Sequence, residues 1–344
     1  MLNLSEVELS GLSVHKIGNK SRAEGMVAAS EAVSIDDESM SHVLKNYFID
    51  PFKNHEFYHF THDSDLLLNE VYSYAKSIFL DPEQMHLQSI RIAKHLYEQS
   101  EHPQIKSGEL YVAHFEHCLF NGFVTDMVGI FKSENKDTYL KVYPQGRAFA
   151  IDKEEGININ KLDKGCLIIN DGEDEGYKVL SIDRTNHEDA RYWKGKFLRL
   201  APLEDAFYHT RHYMQMCKSF AAEALQDADR VDQVALMNKS ARFFDEEQLF
   251  DQADYKGRVL KDAEVIEAFE DYQKDYQQQN DVLIDKTFEI NRQAVKKMKH
   301  VFKSVIKLDK NFHIYVHGER TMITKGYDTE RRQNYYQLYY NSEQ

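Results

Sequence analysis

The dipeptide Asn121-Gly122 constrains the fold more than any other pair of residues in this 344-residue chain. Both residue types tolerate positive φ, which a tight two-residue hairpin turn demands. It is flanked by two runs, residues 110–118 and 122–132, rich in the β-branched and aromatic residues that favour strands. Further runs of strand character follow at 138–142, 147–152, 166–170 and 177–183. Acidic or glycine-containing turns separate them, such as Asp171-Gly172-Glu173-Asp174-Glu175-Gly176. No crossover helix lies between these runs, so an antiparallel sheet is expected and a βαβ alternation is excluded.

Around this block the pattern mixes strands and helices. Short strands are expected at 13–17 and 25–33, and a helix over 39–49, which Pro51 ends. A second helix is expected over 64–80. A third opens with Asp81 as N-cap and Pro82 at its first position, and ends before Pro103. From Pro202 onward the period changes to 3.6. Helices are expected over 203–225, 231–244, 261–276 and 289–308, the third with an acidic outer face between Asp262 and Asp275. Strands at 311–317 and 320–325, joined at Gly318, would close the chain, and residues 335–340 could add another. The expected class is α+β: an antiparallel sheet with helices in residues 1–225, then a mainly helical part, 226–344, ending in a β-hairpin.

Composition narrows the function. Hydrophobic residues make up 42% of the chain, enough for a core, and no apolar stretch is long enough to span a bilayer. The N-terminus lacks a basic segment followed by an apolar run, so no secretory signal is expected. Cys118, Cys166 and Cys217 are scattered and odd in number, which fits a reducing, cytoplasmic setting. The formal net charge is −14, which argues against non-specific nucleic-acid binding by the chain as a whole. Yet residues 291–332 hold eleven Lys and Arg against four acids. On a wheel of about 100° per residue, Arg292, Lys296, Lys299, Lys303 and Lys307 of the helix expected over 289–308 fall in one stripe. Ala294, Met298, Val301, Val305 and Leu308 fall opposite. Cations recurring roughly every 5.4 Å could follow a phosphate backbone or an acidic partner. A plain solvated face, or attraction to the acidic helix, are the competing readings. With Arg320 and Lys325 these residues form the expected nucleic-acid-binding set. The nearby Phe312, Tyr315, Tyr327, Tyr335, Tyr336, Tyr339 and Tyr340 could stack on bases, but packing within a small hairpin domain is the favoured reading.

Other constellations are weaker. Asp205, His209 and His212 share one helical face, as metal ligands could, but nothing visible completes a site, so no metal is expected. His114 and His117, three apart in a strand, point to opposite faces. Asp171–Glu175 lacks the ligand order of an EF-hand. Glu134-Asn135-Lys136 has the Glu-x-Lys spacing of metal-dependent nucleases, but lies in a polar turn. Walker, nucleophile-elbow and dinucleotide fingerprints are missing, so no cofactor or catalytic residue is expected.

Several segments, in order, resemble a known family. They are Val14-His15-Lys16-Ile17, then His42-Val43-Leu44-Lys45-Asn46-Tyr47-Phe48-Ile49-Asp50-Pro51-Phe52, then the strands over 108–132. Tyr192-Trp193-Lys194-Gly195-Lys196-Phe197 and Phe312-His313-Ile314-Tyr315-Val316-His317-Gly318-Glu319-Arg320 complete the set. Together they resemble the bacterial nucleoid-associated proteins of the NdpA type. The resemblance implies a non-catalytic protein of the cytoplasm that localises to the nucleoid and associates with DNA, directly or through a protein partner. The expectation is DNA contact by phosphates, with double-stranded DNA as partner and low sequence specificity. The rivals are an adaptor for a DNA-processing protein and a metal-dependent nuclease or hydrolase. A homodimer is left open, and no membrane contact is expected.

Overall fold

The computed structural model describes residues 2–53, 56–184, 191–223, 230–299, 302, 305–308, 310, 312–315 and 322–342. The chain divides into two compact units, Met1–Leu203 and Glu204–Gln344. The boundary expected near residue 226 falls outside the described residues.

Unit 1 contains strands β1 (Leu2–Asn3), β2 (Glu8–Ile17), β3 (Met26–Val27), β4 (Phe57–Phe60), β5 (Gly108–Phe120), β6 (Phe123–Ser133), β7 (Asp137–Gln145), β8 (Ala148–Gly156), β9 (Lys164–Ile169), β10 (Lys178–Asp183) and β11 (Leu200–Pro202). Its main sheet has the order β11-β4-β10-β9-β6-β5-β2-β3, with β1 also on β5, and every pairing is antiparallel. Asn121 and Gly122 both adopt positive φ, 50° and 89°, and form the β5–β6 turn. The strand expected over 25–33 is confined to Met26–Val27; beyond it the backbone amide of Val33 reaches Leu12.

Alternation along the central strands sends side chains to two cores. Leu110, Val112, Val128, Ile130, Cys166 and Ile168 face one side. There they meet α2 (Glu70–Leu80), α3 (Met85–Gln99) and a π-helical turn, Arg191–Leu198. Asn69 caps α2 by accepting from the amide of Tyr72, and Asp81-Pro82 open a 3-10 turn that leads into α3. Tyr111, Ala113, Phe115, Phe131, Leu167 and Ile169 face the other side, against Tyr47, Phe48 and Phe52 from α1 (Glu38–Ile49) and its exit. Both faces of the sheet are thus covered. Gly176 shows how closely neighbouring strands approach at the β10–β4 edge. A Cβ there would stand 2.3 Å from the carbonyl oxygen of Phe60, and φ is +91°, so a side chain would break the β4 junction.

Unit 2 holds α4 (Ala206–Glu223), α5 (Arg230–Glu246), α6 (Ala263–Asn280) and α7 (Arg292–Met298), with β12 (Leu249–Asp251) paired to β13 (Thr287–Glu289). Aromatic rings fill its core: Tyr213 lies 4.2 Å from Phe250, which stacks on Phe288 at 4.6 Å. The buried hydroxyl of Tyr255 is satisfied by Ser240 at 2.8 Å and by Cys217 at 3.1 Å.

The end of the chain departs from expectation. The helix expected over 289–308 is α7 alone, seven residues long, and the chain has become strand by Val305. β14 (Val305–Leu308) pairs with β15 (Phe312–Tyr315), and β16 (Ile323–Asp328) pairs with β17 (Gln333–Leu338). Val305 and Ile306 are β-branched, and Ile306 and Leu308 turn inward beside Ile314, Ile323, Val231 and Val234. That small core favours the two-residue period over the helical one. The turn expected at Gly318 lies outside the described residues.

Candidate nucleic-acid interface

The short helix α7 distributes its cations among different tasks. Asn291 caps it, accepting from the amides of Gln293 and Ala294, and Ala294, Val295 and Met298 are buried. Arg292 is exposed, but its guanidinium is engaged by backbone. Its guanidinium donates to the carbonyl oxygens of Phe244 at 3.2 Å, Asp245 at 2.7 Å and Glu247 at 2.8 Å. These carbonyls belong to the C-terminal end of α5, where unpaired acceptors and the helix dipole both attract a cation. Lys299 pairs with Asp245 at 2.8 Å, and Lys297 lies 5.4 Å from the centre of the Phe207 ring. Lys296 is exposed.

The single stripe of five cations therefore does not form on one helix. Lys307 stands in β14, opposite His313, and Lys325 is exposed in β16, opposite Tyr336. Lys303 and Arg320 lie outside the described residues. The β16–β17 turn adds two arginines that the stripe did not include. Asp328 organises that turn, accepting from the amides of Glu330 and Arg331 at 2.9 and 3.0 Å, and Arg331 and Arg332 project from it exposed.

The aromatic residues of this region also depart from the packing expected of them. Only Tyr336, among those described, joins the small core. Phe312, Tyr315, Tyr327, Tyr335, Tyr339 and Tyr340 are large exposed surfaces. Tyr335 is held over the backbone of Gly326, where a Cβ would meet its ring at 2.3 Å, so one ring face is supported and the other open. A two-stranded ribbon with arginines at its turn and open aromatic rings offers both phosphate contacts and stacking surfaces.

The weaker constellations resolve into structural roles. Asp205 caps α4 through the amides of Phe207 and Tyr208 at 2.9 and 3.0 Å, and burial raises its carboxyl pKa. His209 stacks on Phe288 and lies 3.4 Å from Asp285; His212 packs on Tyr208 and meets Arg211 at 2.9 Å. No group of three or more residues able to hold a metal occurs among the described residues. Glu134 and Lys136 diverge: Lys136 pairs with Glu109 at 2.7 Å, while Glu134 is buried. Glu134 lies 2.8 Å from Lys132 and 3.7 Å from Lys164, and Lys164 also reaches Asp183 at 3.0 Å. Lys132 further donates to the carbonyl of Lys106 at 2.6 Å. Asp163 closes the neighbouring turn by accepting from the amides of Glu134 and Asn135 at 2.7 and 3.0 Å. These are charges neutralised within unit 1. Burial also pushes the thiols up, Cys118 to about 11 and Cys217 to about 12, which makes them poor nucleophiles. Trp193, Tyr192 and Phe197, from one of the family-like segments, are buried in the core beside α3.

The fold is thus that of an α+β protein with antiparallel sheets, whose distinctive exposed chemistry is carried by the ribbons and the short basic helix of unit 2. The chain belongs to the family of the nucleoid-associated protein YejK, whose model matches residues 13–333. No curated protein matches the chain. No helix among the described residues is long and apolar enough to cross a membrane.

Proposed function

We propose that this nucleoid-associated protein binds DNA directly, through the basic C-terminal part of unit 2, and acts without catalysis in the nucleoid of the cytoplasm. The observation that carries the reading is the concentration of eleven Lys and Arg against four acids in residues 291–332 of a chain whose net charge is −14. Lys296, Lys310, Lys325, Arg331 and Arg332 reach the surface there. Arg292 and Lys299 support this surface rather than touch DNA, since both are bound to the end of α5. Contact is to phosphates, with exposed tyrosines beside it, so sequence specificity is low. The acidic remainder of the protein limits contact to this part, and the phosphate contacts themselves make affinity fall steeply with salt.

The test is binding of the full chain to two unrelated duplexes over a range of salt. Changing Lys296, Lys325, Arg331 and Arg332 to Gln weakens both equally. It also flattens the slope of log affinity against log salt by about 0.9 for each phosphate no longer neutralised. A folded variant with an unchanged slope excludes this surface. If the wild-type chain binds no duplex, the adaptor reading replaces this one, with the acidic exposed face of α6 as its surface.

A further inference from the structure

The β7–β8 hairpin of unit 1 has two unlike faces. Directly opposed residues share a face, so Thr138/Glu155, Leu140/Lys153, Val142/Ile151 and Pro144/Phe149 lie on one side. Tyr139/Glu154, Lys141/Asp152 and Tyr143/Ala150 lie on the other. The second face is satisfied within itself. Tyr139 donates to Glu154 at 2.7 Å, Tyr143 to Asp152 at 2.7 Å and Lys141 to Glu154 at 3.1 Å. The first face is apolar and open: Leu140 is 67% exposed, Val142 58%, Phe149 74% and Ile151 63%. A two-stranded ribbon is marginally stable in water, and one that turns its apolar face outward gains nothing from that face until it is covered.

We propose that this face is the contact between two copies of the chain, packed ribbon on ribbon about a two-fold axis near the Val142/Ile151 pair. The four apolar side chains leave roughly 500 Å² open on each copy, about 1,000 Å² for two, the size at which specific interfaces begin. Its charge suits a copy of itself. Lys153 and Glu155 put one charge of each sign on the face, and residues 137–156 hold three basic and four acidic side chains. A nucleic acid would demand a net positive ribbon. A two-fold contact also closes on itself, leaving no apolar strip to recruit a third copy. The dimer stands independently of DNA binding, though joining two copies would make attachment to one DNA molecule bivalent.

The experiment measures the mass of the full chain by sedimentation over a concentration series. Wild type is expected to dimerise. Ile151→Glu is expected to raise the dimer dissociation constant by about 100-fold, because each substitution occurs twice across the interface. A second variant trims the ribbon, joining Thr138 to Glu155 through an Asn-Gly turn, and is expected to be monomeric with the circular dichroism of a folded chain. Val142→Cys is expected to cross-link two copies under mild oxidation, because Cys118, Cys166 and Cys217 are buried. A wild type that is monomeric at every concentration overturns the proposal. So does a dimer unmoved by both Ile151→Glu and trimming. A monomeric wild type whose trimmed variant loses DNA binding would assign the face to DNA instead.

Discussion

In unit 1, Lys132 and Lys164 end inside the protein, each within reach of Glu134, with Asp183 completing the group. In unit 2, Lys296, Lys325, Arg331 and Arg332 are exposed, Arg331 lying 3.8 Å from Asp328, while Arg292 and Lys299, in the same basic stretch, are held at the end of α5. The same residue types thus serve three ends: neutralised charge in a core, a clamp on a helix terminus, and an open surface. A burial-dependent charge has a large effect on folding and none on DNA. An exposed one has the reverse. The difference between the units is therefore measurable as a separation of stability from binding.

The largest effect is expected in unit 1. Glu134→Gln keeps the shape but takes the carboxylate from buried Lys132, while Lys164 keeps Asp183, and costs about 3–5 kcal/mol. Urea denaturation reads it directly, and a loss below about 1 kcal/mol would mean that the cluster is not a charge-balanced unit. In unit 2, Met298→Ala, which truncates a buried side chain of α7, costs about 2–5 kcal/mol in the same measurement. Arg292→Gln removes charge-assisted bonds to three carbonyls and costs about 1.5–3 kcal/mol, with little change in DNA affinity. If it instead abolished binding at unchanged stability, the clamp assigned to it would be wrong.

Smaller changes sharpen the contrast. Burial, aided by the neighbouring His86, lowers the pKa of His15 from 6.5 to about 4. The folded protein therefore keeps it neutral while the unfolded chain takes up a proton. The stability this supports is present above pH 6.5 and is lost as the pH falls through about 4. His15→Gln should flatten that part of the stability curve, and an unchanged curve would place the acid sensitivity elsewhere. Smallest in stability is the quadruple change at Lys296, Lys325, Arg331 and Arg332, expected within about 0.5 kcal/mol of wild type. Its effect appears only in the salt dependence of DNA binding.

The sheet was legible because its determinants are local. Asn121-Gly122 specifies the turn, and alternation from Leu110 to Phe131 specifies which side chains face which core. Residues 299–308 were not, because they satisfy two periods at once. Val301, Val305 and Leu308 read as a helix face, and Ile306 and Leu308 as a strand face. The strand prevails through its partner Ile314 and through Val231 and Val234 on α5, about 70 residues away. Nor does any spacing reveal that Arg292 reaches the carbonyls of residues 244–247. The outward tyrosines were misread for a related reason: a tyrosine in a ribbon looks alike from either face until the neighbouring core is known. The apolar face of the β7–β8 ribbon shows as alternation in the sequence, but alternation does not say whether a face is covered.

The strand order of the main sheet has a further consequence for how the protein is made. β4, at Phe57–Phe60, sits between β10 and β11, which arrive more than a hundred residues later. At ribosomal speed the delay is on the order of ten seconds. During that interval Phe57 and Phe60 have no sheet to join, although α2 and α3 downstream of them have already been synthesised. A nascent chain of this protein therefore carries an unpaired strand that is both apolar and open at its edges, a stretch that holdase chaperones would bind until β10 and then β11 are made.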